Sequence, residues 1–164
     1  MKKKILYLTF NETVIADIKW ILEDLGLEDF EIEAIQSLPR LAQTLLEEKG
    51  RIVLIITDVY LPAVHDLAPI GKPEVNTLYG FRAGFAILEE FLREKNSPYK
   101  NIPVLILTAK ILTKKEKKLV QKLKIEEHIE LFMPGWRRKL SKFMNCYICL
   151  LYTSDAADEL DGVD

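Results

Sequence analysis

The sequence predicts an α/β fold: a doubly wound, five-stranded parallel sheet. Three observations predict it. Apolar runs of strand length, such as "RIVLIIT" and "IPVLILT", alternate with segments whose apolar residues recur at helical spacing. Strands that are apolar throughout indicate a sheet covered on both faces, as parallel sheets are. The order is strand then helix, five times over, and right-handed crossovers then put helices on both sides.

"KILYLT", residues 4–9, reads as a short buried strand. Asn11 or Thr13 can cap the next helix, because its side-chain oxygen accepts an orphan backbone N–H. Val14, Ile15, Ile18, Ile21, Leu22 and Leu25 form that helix's apolar stripe, and Gly26 stops it. "FEIEAI", 30–35, alternates apolar and polar as a strand does. Ser37 opens a second helix with Leu38, Leu41, Ala42, Leu45 and Leu46 on one face, ending at Gly50. The third strand runs from Ile52 and stops at a lone carboxylate, Asp58.

Residues 59–82 read as irregular, with Pro62, Pro69, Gly71, Pro73 and Gly80. A loop that long in a compact domain is usually functional or mobile. It could be a lid, a partner-binding element or padding. "GFAILEEFLRE" is the third helix, and "IPVLILT", 102–108, is the fourth strand. Thr113 can cap the basic helix "KKEKKLVQKLK". "HIELFM", 128–133, reads as the fifth strand, and a last helix starts near Gly135 with Trp136 as a packing residue.

The 164 residues favour one domain, and the 49% hydrophobic and 29% charged fractions are those of a soluble globular protein. After "MKKK" the apolar run is only "ILYL", too short for a signal peptide or a membrane span, so a cytoplasmic protein with no membrane partner is expected. Cys146 and Cys149 form a C-x-x-C, but the spacing of His65 and His128 completes no zinc pattern, and ordinary thiols on a helix are expected. Of 25 acids, five lie from Tyr152 onward with no base among them, so the tail supplies the net charge of −2. "CLLYTSDAADE" also resembles translated sequencing-adapter read-through. We therefore expect a domain over 1–147 and, over 148–164, an acidic tail that is non-native or disordered.

In open α/β sheets, ligands bind beyond the carboxyl ends of the strands. Thr9, Asp58 and Thr108 all fall there. The chain also resembles, over Lys2 to Met144, the receiver domain of two-component response regulators. "TDVYLP" is similar to the family's phosphoacceptor strand and loop, "IPVLILTA" to its fourth strand, and "FMPG" falls where the family has Lys-Pro. The resemblance implies a (βα)5 flavodoxin-like receiver fold. It implies Asp58 as candidate phosphoacceptor, Thr108 as candidate switch hydroxyl and Ala109 as the small residue behind it. It also implies a signalling module of a phosphorelay rather than an enzyme.

Against the family's pattern, Thr9 and Phe10 stand where two acids would hold Mg²⁺. Met133 replaces the lysine that pairs with the phosphoryl group, and Glu130 replaces the switch aromatic. Asn11 and Glu12 follow too late, with Glu12 expected on the first helical turn. Phosphoryl transfer depends on positioning and on neutralising anionic oxygens. With Asp58 the one assured carboxylate ligand, a degenerate site is expected, with no cofactor. The alternative is a phosphorylation-competent receiver using Asp58 with Mg²⁺.

Lys114, Lys115, Lys117, Lys118, Lys122 and Lys124 crowd the fourth helix, and Arg137, Arg138, Lys139 and Lys142 the fifth. In the inferred order these helices flank the fifth strand. Receiver domains use that face to pair or to contact partners, so the resemblance implies a homodimer or a protein partner there: a histidine kinase, an output protein or another receiver. A positive face suits an acidic protein, and nucleic acid comes second.

Overall fold

The computed structural model describes the backbone of residues 2–161 and the side chains of residues 2–148. Five parallel strands form one sheet: β1 (Lys3–Leu8), β2 (Phe30–Ile35), β3 (Ile52–Thr57), β6 (Val104–Thr108) and β7 (Glu127–Glu130). Their order across the sheet is β2-β1-β3-β6-β7. The helices are α1 (Thr13–Asp24), α2 (Leu38–Glu48), α3 (Ala83–Ile87), α4 (Lys114–Lys122) and α5 (Trp136–Asp161). Between β3 and α3 lies a small antiparallel hairpin, β4 (Asp66–Leu67) and β5 (Lys72–Asn76).

Alternation along each strand divides the core. Leu6 and Leu8 of β1, Ile55 of β3 and Val104 and Ile106 of β6 pack with Leu38, Leu41 and Leu45 of α2, Phe85 of α3 and Val120 of α4. Ile5, Tyr7, Leu54, Ile56, Leu105 and Leu107 face the other way, onto Val14, Ile18 and Ile21 of α1 and Leu140 and Met144 of α5. Two cores separated by the sheet are the physical content of the doubly wound prediction.

Local signals set the ends. Ser37 Oγ accepts the Arg40 N–H at 3.3 Å. At α4, Thr113 Oγ1 accepts from the Glu116 N–H, and Glu116 Oε1 accepts from the Thr113 N–H, a complete capping box. At α1 the polar start lies one step earlier than a cap: Asn11 Oδ1 accepts from the Thr13 N–H and hydroxyl.

Several expectations are corrected. Leu46 is exposed, because the buried face of α2 runs through Leu38, Leu41 and Leu45 and Leu46 lies a further 100° round the helix. The fifth strand ends at Glu130; the Met133 N–H turns back to the Glu130 carbonyl, and Gly135 follows with φ +81°. The third helix is α for one turn and then widens into a π-helical segment, Leu88–Leu92, where the Arg93 N–H reaches the Leu88 carbonyl at 2.7 Å. Residues 162–164 of the expected tail, and the side chains of Cys149 and those after it, lie outside the described residues.

The 59–82 segment is built rather than irregular. Leu67 and Val64 are buried in the α2–α3 core. Thr77, itself buried, donates to the Val64 and His65 carbonyls at 2.7 and 2.8 Å and closes the hairpin's base. Leu78, Tyr79 and Gly80 then take three successive left-handed conformations, φ +53°, +56° and +89°. This is costly for the two residues with a Cβ.

Candidate functional site

The carboxyl ends of β1, β3 and β6 meet at the point where the strand order reverses, between β1 and β3. Asp58 follows β3 and is only 6% exposed. Its Oδ1 accepts three hydrogen bonds: from the Val59 N–H at 2.6 Å, the Tyr60 N–H at 3.2 Å and the Thr108 hydroxyl at 2.8 Å. Thr108 Oγ1 accepts in turn from the Lys110 N–H at 3.1 Å. Burial pushes the Asp58 carboxyl above the ordinary aspartate range, against the pull of Thr108 and of the Tyr60 and Val59 N–H groups.

Gly84 fixes where this carboxylate sits. A Cβ there would lie 2.1 Å from the Asp58 carbonyl oxygen. The start of α3 therefore packs directly on the backbone of Asp58 and Val59, with the Gly84 N–H on the Val59 carbonyl at 3.0 Å.

The residues expected in the family's acidic positions do other work. Thr9 is fully buried and turns its hydroxyl onto its own loop, accepting from the Asn11 N–H and donating to the Asn11 carbonyl. Glu12 accepts from Gln36 Nε2 at 3.1 Å, on the β2 side and away from the Asp58 hydrogen-bond set. Among the described residues no three His, Cys, Asp or Glu side chains cluster as a metal site. Asp58 is the one carboxylate among the residues that line its cavity, whereas a hard divalent ion wants several oxygen ligands.

Phe10 takes part in a feature that sequence reasoning missed. Its ring meets Tyr60 edge-on at 5.2 Å, and Tyr60 stacks on Phe81 at 4.9 Å with 17° between planes. The left-handed run at 78–80 turns the chain so that Phe81 reaches Tyr60. Three aromatic rings thus stand beside Asp58, around a cavity of about 350 Å³ that Tyr7, Thr9, Thr108, Lys110 and Leu131 also line. Tyr7 is buried beneath it, and burial pushes its phenol up to about 12; the Thr9 hydroxyl pulls the other way and the charge of Asp58 adds to the rise. Tyr60 lies inside the stretch that drew attention to Asp58, but no periodicity could pair it with Phe81 across the hairpin.

Met133 does not line this cavity; it is half exposed on the turn after β7 and borders a separate groove with Trp136 and Pro134. Glu130 accepts from the Leu112 N–H at 3.0 Å and so ties the end of β7 to the β6–α4 connection. Lys110, on that connection, is held 2.7 Å from Glu116.

Helices α4 and α5 pack on opposite faces of the sheet with β7 at the edge between them. Trp136 packs against the core as expected, with the Arg137 guanidinium over its ring. Arg137 pairs with Asp17 of α1 at 2.8 Å, and Lys139 with Glu127 at 3.7 Å, so part of the basic surface on α5 is neutralised. Arg138 is exposed at the same end of α5. On α4, Lys115, Lys118 and Lys122 border a groove of about 600 Å³ towards α3, with Leu78, Phe81, Phe85 and Leu119 on its apolar side. Lys114 lies at the first turn of the same helix.

No protein-family model and no curated protein sequence matches the chain. Solved structures do. The receiver domain of a sensor histidine kinase from Pseudomonas aeruginosa, which holds a magnesium ion in its active-site cleft, is 16% identical, with a TM-score of 0.57 over 90% of this chain and 98% of that one. A response regulator receiver domain from Clostridium thermocellum is 21% identical, with a TM-score of 0.57 over 92% and 98%. A response regulator receiver protein from Pseudoalteromonas atlantica is 12% identical, with a TM-score of 0.61 over 88% and 96%. None of the helices among the described residues is long and apolar enough to cross a membrane. With its parallel sheet in the order β2-β1-β3-β6-β7 and these structural matches, the chain has the fold of response-regulator receiver domains.

Proposed function

We propose that this domain is a receiver-like signalling module that works by protein contact, with an Asp58 site no longer built for metal-dependent phosphorylation. One observation carries the reading: the positions beside Asp58 hold Thr9, turned onto its own loop, and Phe10, engaged with Tyr60. A phosphoryl group arriving at Asp58 would meet apolar rings instead of a cation. The one lysine at the cavity, Lys110, is engaged by Glu116. Each 1.4 kcal/mol of lost transition-state stabilisation costs about tenfold in rate. Losing both a metal and a lysine removes the two main sources of charge neutralisation.

The contact surface is the α3–α4 groove. Leu78 and Phe81 are exposed on its lining, and Tyr79, next in the chain to Leu78, is 81% exposed on a left-handed backbone. Lys115, Lys118 and Lys122 make no ion pair among the described residues, which suits an acidic protein partner with an apolar stripe.

Intact-mass spectrometry after incubation with a small acyl phosphate, with and without Mg²⁺, tests the site. No added phosphoryl mass is expected; a Mg²⁺-dependent addition that disappears in Asp58→Asn would restore the phosphoacceptor reading. Salt-sensitive binding of oligonucleotides, lost in Lys115→Glu/Lys118→Glu, would replace the acidic protein with nucleic acid.

A further inference from the structure

The cavity beside Asp58 has features that neither partner docking nor phosphoryl transfer uses. Its volume of about 350 Å³ lies within the size of small-molecule sites. Its walls are largely apolar, with Val14, Ala109 and Leu131 completing the ring of Phe10, Tyr60 and Phe81. Asp58 is its one anionic group and is more than nine-tenths buried.

All three hydrogen bonds to that carboxylate end on Oδ1. Oδ2 accepts none among the described residues. It is not sealed off either: the one fully buried side-chain oxygen without a partner among those residues is Thr44 Oγ1. Asp58 Oδ2 therefore opens into the cavity it lines. A carboxylate oxygen in an apolar enclosure needs a donor or a positive charge, and Lys110, the one cation on the cavity wall, is engaged by Glu116.

The geometry points to a binding site for a small organic monocation: a primary ammonium on a flat apolar body, the ammonium on Asp58 Oδ2 and the body against Tyr60 and Phe81. Aromatic faces attract cations, most strongly where water is excluded. An anion is repelled by Asp58. A divalent metal finds too few hard oxygens. A neutral donor satisfies Oδ2 but takes nothing from the rings. The inference rests on the reading that Asp58 is not a metal-dependent phosphoacceptor. Phe81 and Lys110 line both this cavity and the α3–α4 groove, so an occupant acts on the partner surface through shared side chains.

Benzylammonium chloride is the probe, titrated into the full chain and followed by backbone amide NMR, with benzyl alcohol as its neutral counterpart. The ammonium is expected to bind saturably and about tenfold or more tighter than the alcohol, as a charge-assisted hydrogen bond requires. Asp58→Asn, which keeps an Oδ1 acceptor for Thr108, should erase that preference, and Phe81→Ala should weaken binding of both compounds. Phe81 is exposed, so the latter variant does not put folding at stake; circular dichroism checks the former. Equal affinity for ammonium and alcohol, unchanged binding in Asp58→Asn, or no saturable shift overturns the site. The acyl phosphate assay is independent of this outcome: a failed titration with no phosphorylation removes only the cation site, whereas phosphorylation removes the premise.

Discussion

The Thr108 hydroxyl donates to Asp58 Oδ1 at 2.8 Å, joining the ends of β6 and β3 through two buried side chains. The hydroxyl also accepts the Lys110 N–H, so it fixes the first turn of the β6–α4 connection. Thr108→Val keeps the shape and deletes both bonds. We expect it to destabilise the domain by about 1–3 kcal/mol, the cost of leaving buried polar groups unpaired, while Thr108→Ser costs less than about 1 kcal/mol because the hydroxyl survives. Urea unfolding of the two variants checks this. Equal losses would show that the methyl group, not the hydroxyl, matters.

Asp58 itself gives a pH signature. Its folded carboxyl titrates above its unfolded value, chiefly through burial. The folded state thus binds more protons than the unfolded one in that window. Its contribution to stability is fully present below the unfolded value near 3.8 and is lost as pH rises through the folded value. Asp58→Asn removes the titration and keeps the Oδ1 acceptor. The variant should be more stable than the natural protein at neutral pH, with the gap closing as pH falls towards 4. Unfolding curves across that range test the sign. A gap that widens on acidification would mean that the carboxylate is stabilised in place.

The architecture was legible because each signal behind it is local. β2 falls on the six residues that alternate, and α4 begins at the Thr113 capping box. The short fifth strand was not, because "HIELFM" is apolar enough for a strand and the turn at 131–135 is set by Pro134 and Gly135 beyond its end. At the site, Thr9, Asp58 and Thr108 were readable as strand ends. The Phe10–Tyr60–Phe81 ring contacts were not, because they depend on a hairpin whose Thr77 closure and left-handed 78–80 turn leave no periodic trace. Leu46 failed for a simpler reason: a leucine beside a buried stripe is not thereby part of it.

Gly84 is the position where the least added volume should do the most. Its φ is ordinary, so the constraint is contact and not conformation: a Cβ would fall 2.1 Å from the Asp58 carbonyl oxygen. The nearest atoms are all backbone of Asp58 and Val59, so no flexible side chain can move aside. Gly84→Ala should cost about 2 kcal/mol or more by pushing α3 off the β3 end. Gly50→Ala, with nothing within 4 Å of its Cβ, is the control and should be near neutral. Thermal unfolding compares them, and amide shifts around Asp58 should move in the first variant alone. Matching behaviour of the two would mean that α3 is not seated on the backbone of Asp58 and Val59.

Lys4 carries a prediction of its own, far from the cavity. It is buried on β1, yet its Nζ lies 3.0 Å from Glu33 and 2.8 Å from Glu48, which themselves hold Arg40 and Arg51. One ammonium thus ties β1, β2 and the end of α2. Burial opposes the charge on Lys4, but hydrogen bonds to Glu48 and Glu33 outweigh it and raise its pKa. Glu33 is also opposed by burial and is held below the ordinary range by Arg40 and Lys4. The signs are opposite. The Lys4 contribution is present below about 10.5 and is lost as pH rises beyond it. The Glu33 contribution is present above about 4.5 and is lost as pH falls through the folded value. Lys4→Met should therefore be most costly between those limits. We expect about 1–3 kcal/mol, kept modest because both carboxylates are about one-fifth exposed and screened by water. The loss should shrink at either extreme of pH and in high salt. A loss independent of pH and salt would assign the role of Lys4 to its buried methylene stem rather than to its charge.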